Sequence, residues 1–334
     1  MYHSDRMIHG SWFMVHKIRT IFFGTPEFAV PAFEALLNNA HFAVDGVVTQ
    51  PDRPTGRKKI ITSSPVKIAA GKAGIRVLQP EKLNDEAMAA IIDLKSDLAV
   101  VVAYGNLIPK RLLGSLPRGF VNIHPSLLPK HRGASPLTAA ILEGDKETGV
   151  CLMILDEGMD HGPVIACRRV ALKGDETTTS LRAALTTIGA EMVGKELIDY
   201  LDGKIEAKPQ NHEQATFCKQ IGSEDTRIDW NRSAVEIDRL IRAMHGVTPA
   251  WTMLGGATLL IHAAQLEQPP YQMGKGAVPF GTPGTIMKIK NSPAVICADG
   301  LLLILNEIQL AGGKPMSGQA YLNGHQDILG KILS

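Results

Sequence analysis

At 334 residues the chain is long enough for two domains, each with a core of its own. Hydrophobic residues make up 45% of it, yet no apolar run reaches the ~18–20 residues that span a bilayer, which excludes a membrane-spanning helical protein and fits a soluble enzyme. A net charge of +2 excludes no partner class, because a local basic patch is enough to hold nucleic acid. The four cysteines (Cys151, Cys167, Cys218, Cys297) are scattered and form no CxxC pair. They argue for a reducing compartment, hence the cytoplasm, and against a structural zinc site.

Residues 1–16 carry neither a helical nor a strand period and read as an N-terminal extension, with Met14 as an alternative start. Lys17 to Phe23 is a basic start followed by an apolar run, a first strand. It ends at Gly24-Thr25-Pro26, and a helix follows through Leu37. One glycine at a strand–helix turn suggests a doubly wound sheet, while the missing second and third glycines of GxGxxG disfavour a nicotinamide dehydrogenase. Val44 to Thr49 is a second strand. The next stretch, Gln50 to Lys59, holds two prolines, a glycine and four cations, and reads as an irregular basic loop. Arg57, Lys58 and Lys59 are placed to grip phosphates; the residues alone leave open a solvated charged loop.

Pro65 opens a helix to Ala73, Ile75 to Leu78 is a third strand, and Asn84 caps a helix over Asp85–Leu94. Asp97 to Val102 is apolar without alternation, a strand buried on both faces. Phe120 to Ile123 ends a further strand. Side chains two apart on a strand point the same way, so Asn122 and His124 project together at its end. Pro125 and Pro129 keep the exit irregular. An imidazole that can move a proton beside an amide that can donate to an oxyanion suits acyl-type transfer. The pair by itself leaves open a turn asparagine next to a surface histidine.

A helix over Leu137–Glu143 and a strand over Thr148–Leu155 lead to Asp156-Glu157-Gly158-Met159-Asp160-His161-Gly162-Pro163, a loop with three carboxylates. One of these acids could orient His124; each could equally solvate a turn. Val164 to Val170 returns as a strand, and Thr178 to Asp202 reads as one long helix. Residues 204–222 are polar, aperiodic and read as an interdomain linker. After a helix over Ser233–Met244, short strands separated by Gly/Pro turns predict a small β-barrel or sandwich.

Those residues resemble the methionyl-tRNA formyltransferases from about Lys17 to the C-terminal strands. The resemblance rests on FFGTPEFA (22–29), TQPDRPTGRKK (49–59), SPVK (64–67), VVVAYG (100–105), NIHPSLLPKHRGASP (122–136), ETGV (147–150), GMDHG (158–162) and RIDW (227–230). The Asn–His–SLLP–Asp pattern marks enzymes that take a formyl group from 10-formyltetrahydrofolate; the basic loop and the part after RIDW point to a tRNA acceptor. The resemblance implies a Rossmann-like, mostly parallel doubly wound catalytic domain over 17–203, and an OB-like barrel over 223–334 that binds tRNA. It implies Asn122, His124 and Asp160 as the catalytic set, Ser126, Leu127, Leu128 and Pro129 as folate-binding residues, and Arg57 near the acceptor stem. It implies a monomer that formylates the α-amino group of initiator methionyl-tRNA with no metal. The chain departs from the usual pattern at Tyr104–Ile108 and at His245–Trp251, neither of which touches that set. The rival readings are another formylfolate enzyme, acting on a purine nucleotide or sugar nucleotide, and a non-catalytic tRNA-binding protein.

Overall fold

Apolar runs become buried strands wherever a capped helix can cover them. The computed structural model describes residues 17–56, 59–267 and 281–334. β1 (Ile18–Gly24) is buried from Thr20 onward, and α1 (Val30–Leu37) turns Ala32, Phe33 and Leu36 inward. β2 (Phe42–Val48) follows, then β3 (Arg53–Thr55) and β4 (Ile60–Thr62). α2 (Pro65–Lys72) begins where Ser64 Oγ accepts the Lys67 N–H at 3.1 Å. β5 (Val77–Leu78) precedes α3 (Asp85–Ile92), whose cap Asn84 accepts the Ala87 N–H at 3.0 Å. β6 (Leu98–Val102) is buried at every residue; α4 (Lys110–Leu113) and β7 (Phe120–His124) come next.

Two compact units divide the chain, one of Met1–Asn122 with Ala190–Ile205 and one of Ile123–Gly189 with Glu206–Ser334, so β7 runs from the first into the second. In the first unit the strands lie in the order β7-β6-β1-β2-β5, all pairings parallel. This is the expected doubly wound sheet. Its carboxyl edge is knitted by side chains. Thr25 Oγ1 and Gln50 Nε2 both donate to the Tyr104 carbonyl at 3.0 and 3.2 Å, and Gln79 Nε2 donates to the Gln50 carbonyl at 2.9 Å. The basic stretch departs from its reading as irregular. β3 and β4 pair antiparallel around Gly56 at φ 67, with Pro54 tolerated because this exposed two-stranded ribbon is edge on both sides.

In the second unit come β8 (Arg132–Gly133), α5 (Pro136–Glu143), β9 (Glu147–Ile154) and β10 (Val164–Ala171). Here the sheet order is β10-β9-β7, with β9 and β10 antiparallel. Cys151 and Cys167 stand opposite each other in that register, with Cα atoms 4.1 Å apart, and are joined by a disulfide. This bonded pair removes the argument from scattered cysteines for a reducing compartment, and only Cys218 and Cys297 are free thiols among the described residues. The helix expected over 178–202 is two, α6 (Thr178–Val193) and α7 (Glu196–Leu201). The break falls at Gly194 and Lys195, where glycine is a poor helix former and Lys195 leaves helical geometry at φ −133, ψ −75.

The stretch read as a linker is a strap over the second unit. Lys208 bridges Val164, and β11 (Phe217–Cys218) pairs in parallel with β8. α8 (Ala234–Met244) starts with a capping box between Ser233 and Glu236 and buries Ile237, Ile241 and Met244. The last strands are β12 (Ala250–Leu254), β13 (Ala257–Glu267), β14 (Ile286–Ile289), β15 (Ser292–Ile296), β16 (Leu302–Leu310) and β17 (Met316–Ser317), with α9 (Gly318–Gly324) after them. They run β12-β13-β16-β15-β14, with β17 on β16. The C-terminal residues close the two edges. Ser334 and Met253 exchange backbone bonds of 2.8 and 3.2 Å, and the Ile286 N–H reaches the Lys331 carbonyl at 2.9 Å. The expected small barrel is therefore present, built round Ala294, Ile296, Leu302 and Ile304. No helix among the described residues is long and apolar enough to cross a membrane.

Candidate active site

β7 carries Asn122 and His124 two residues apart, so its pleat turns both to one face at the carboxyl end of the strand. That end is where open α/β sheets take their ligands. His124 is only 4% exposed. Its Nε2 lies 3.1 Å from the His131 carbonyl oxygen. A carbonyl can only accept, so Nε2 bears the hydrogen and the neutral ring keeps its lone pair on Nδ1. Nδ1 is 3.6 Å from Asp160 Oδ1. A proton taken up at Nδ1 faces a carboxylate that stabilises it. The His131 carbonyl therefore meets Nε2, and of the acids in the loop after β9 it is Asp160 that lies beside Nδ1.

Asp160 is held at its carboxylate and at its carbonyl. It sits at φ 46 in the loop between β9 and β10. Its Oδ2 accepts the Gly133 N–H at 2.8 Å, and its own carbonyl accepts Gln210 Nε2 at 2.9 Å. The same Gln210 amide donates to the Gly162 carbonyl at 2.8 Å. Gly133 is at φ 117, and a Cβ there would strike the Cys218 carbonyl, so only glycine brings this N–H to the carboxylate. Gly162 is similarly required, since a Cβ would strike the Ile154 carbonyl. Buried Arg132 locks the strap behind the loop. Its Nε and Nη2 donate to Gln210 Oε1 at 3.2 and 2.7 Å, and Nη2 to His212 Nδ1 at 3.0 Å. The His212 ring stacks on His161 at 4.0 Å, and His161 Nδ1 lies 2.7 Å from Asp156 Oδ2. Desolvation, then the neighbouring His161 and Arg132 charges, push the His212 imidazole below its ordinary pKa.

The segment after His124 is a turn closed from inside by Ser126. Ser126 is fully buried, and its hydroxyl donates to the Lys130 carbonyl at 2.6 Å; the Leu128–Pro129 peptide is cis. Leu127, Leu128 and Pro129 are half-buried beside it. Beyond the turn, His131 Nε2 is 2.7 Å and Lys130 Nζ 2.9 Å from the two oxygens of Asp145. His131, Glu143 and Asp145 bring potential metal-ligand atoms within 4.8 Å of one another, but a cation there would have to displace Lys130 and His131 from Asp145. The chemistry of this set is an ion-pair network.

Residues 16–196 match the family described as formyl transferase, and residues 220–326 match its C-terminal domain. The chain is 42% identical over 309 residues to the methionyl-tRNA formyltransferase of Roseiflexus castenholzii, covering 92% of this chain and 96% of that one. It is 40% identical over 318 residues to that of Sorangium cellulosum, covering 95% and 99%. The chain belongs to the methionyl-tRNA formyltransferase family. The fold is also that of an N-formyltransferase from Helicobacter canadensis, solved in complex with folinic acid and dTDP-3-aminofucose, at 19% identity and a TM-score of 0.61 over 86% of this chain and 98% of that one. The protein is a formyltransferase, and a nicotinamide dehydrogenase or a non-catalytic scaffold is set aside.

Of the residues expected at the site, the structure brings His124 and Asp160 together, with Ser126 to Pro129 following His124 after Pro125. Lys59 is exposed at the β3–β4 turn, while Arg57 and Lys58, like residues 1–16, lie outside the described residues. Gln210, Arg132, His131 and Asp145 escaped the reading of the sequence. Arg132 and His131 lie inside the NIHPSLLPKHRGASP string and carried that signal; Gln210, in a polar aperiodic stretch, carried none.

Proposed function

We propose that this formyltransferase moves the formyl group of 10-formyltetrahydrofolate to the α-amino group of initiator methionyl-tRNA, as a cytoplasmic monomer and without a metal. What carries the reading is the approach of Asp160 to His124 at the carboxyl end of β7, in a chain that matches 96% of the length of a methionyl-tRNA formyltransferase. Folate lies along Ser126–Pro129, Ser126 shaping the turn from inside and Leu127, Leu128 and Pro129 meeting the ligand. A free α-amine has a pKa near ~8, so part of it is neutral at pH 7 and can attack. It adds to the formyl carbon on N10. Asn122 donates to the oxyanion that forms. His124 takes the amine proton at Nδ1, Asp160 stabilises the imidazolium, and the proton returns to N10 as the carbon–nitrogen bond breaks. The products are the formylated aminoacyl-tRNA and tetrahydrofolate. Arg57, Lys58 and Lys59 hold the acceptor end, and the C-terminal barrel at 223–334 binds the tRNA body, with 17–203 as the catalytic domain.

The test is formyl transfer from 10-formyltetrahydrofolate to initiator methionyl-tRNA, elongator methionyl-tRNA and an amino-sugar nucleotide, side by side. Preference for initiator tRNA is expected. Transfer to the sugar nucleotide with none to either tRNA would overturn the acceptor assignment.

A further inference from the structure

We propose that His131 and Asp145 are positioning residues that fix the tautomer and orientation of His124; the inference rests on the reading of His124 as proton acceptor. Nε2 of His124 keeps its hydrogen only while the His131 carbonyl faces it, at 3.1 Å. Residue 131 adopts φ 56, the left-handed region that side chains other than glycine rarely occupy, so this carbonyl direction needs outside support. The support is visible. The His131 N–H donates to Thr216 Oγ1 at 2.9 Å, and the next residue's N–H donates to the Thr216 carbonyl at 2.9 Å. The His131 ring is 2% exposed and meets Asp145, Nε2 to Oδ2 at 2.7 Å. Its Nδ1 has no hydrogen-bond partner among the described residues and lies 3.9 Å from Glu143 Oε1, so Asp145 is the hydrogen-bonded anchor of the ring.

Asp145 is itself fixed. Gly144 ends α5 at φ 67, and the Asp145 N–H returns to the Ala140 carbonyl at 3.0 Å. Burial would raise its carboxyl pKa, but the bonds from His131 and Lys130 outweigh burial and hold it below the ordinary value. Asp145 is therefore an anion at neutral pH and takes a hydrogen from His131 Nε2. A line of hydrogen bonds runs from the end of α5 through Asp145 and the His131 ring and backbone to Nε2 of His124. Every link lies in the second unit.

The experiment is nitrogen NMR of the full chain with labelled histidine, in which ring nitrogens report the tautomer directly. His124 is assigned by the signals that disappear in His124→Gln. Wild type is expected to show His124 with hydrogen on Nε2 alone. His131→Phe and Asp145→Leu are each expected to give a mixture of tautomers, with turnover down about tenfold and the KM for folate and tRNA within twofold. His131→Gln, whose amide nitrogen can still donate to Asp145, is expected to restore both. Lys130→Met, which removes the other partner of Asp145, is expected to leave the tautomer alone. Thermal melts of every variant separate loss of fold from loss of positioning, and two independent variants guard against one that does not fold. A single Nε2–H tautomer with wild-type turnover in His131→Phe would overturn the inference. Full turnover in His124→Gln would remove the base reading instead, while the tautomer signals of His131→Phe are read without turnover.

Discussion

Asp160→Asn isolates one charge at the site. The amide keeps the size of the carboxylate and can still accept the Gly133 N–H that holds Oδ2 at 2.8 Å, so the loop should stay in place. What disappears is the negative charge 3.6 Å from His124 Nδ1. Both side chains are largely buried, at 14% and 5% exposure, so solvent screens the pair weakly. With an effective dielectric of about 20, two unit charges at that separation interact by roughly 4–5 kcal/mol. The amide dipole recovers part of this, leaving a loss of about 3–4 kcal/mol in the state where His124 carries the proton. At 1.36 kcal/mol per tenfold, turnover should fall by roughly 10²–10³. The assay is single-turnover formyl transfer with both substrates saturating, beside a thermal melt that should move little. Asp156→Asn and Glu157→Gln are the controls; Asp156 braces the loop through His161 and the Gly158 N–H. If Asp156→Asn were as damaging as Asp160→Asn with both proteins folded, the charge argument would be wrong and the catalytic set would have to be redrawn.

Asn122→Ala should lower turnover by ~10²–10³ with little change in either KM, because an oxyanion donor acts chiefly in the transition state; a rise in KM alone would make it a binding group. His124→Ala should lose ~10²–10⁴ in turnover and retain folate binding, measured by a folate-dependent rise in melting temperature. Gln210→Ala should cost roughly 2–4 kcal/mol of stability, by removing one partner from the buried Arg132 guanidinium and from the Asp160 and Gly162 carbonyls, and should lower turnover as Asp160 loosens; a denaturation midpoint equal to wild type would refute this. Replacing Arg57, Lys58 and Lys59 together with alanine should raise the tRNA KM and leave the folate KM unchanged. The salt dependence of the tRNA KM should flatten by about one unit of slope for each phosphate that is no longer neutralised.

The strands and caps were legible because their causes are local. Leu98–Val102 is apolar at every residue and is buried at every residue, and Asn84 caps the helix that follows it. Asn122 and His124 at the end of β7 were readable from the two-residue period and Pro125 alone, and the choice among the acids of the next loop came from the family pattern, not from spacing. Only the tertiary structure decided the remainder. The His131 carbonyl that meets Nε2 of His124 is held by Thr216 around its backbone and by Asp145 on its ring, both remote from it in sequence. The strap at 204–222 looked like a linker because its partners, Arg132, Asp160 and Val164, are distant in sequence and impose no period on it. The Cys151–Cys167 pair required the register of two strands, and the closed barrel required the last residues to reach both β12 and the start of β14. Periodicity reports which face of an element is buried; it does not report what that face or a loop is buried against, because that is fixed by chain segments which local sequence does not encode.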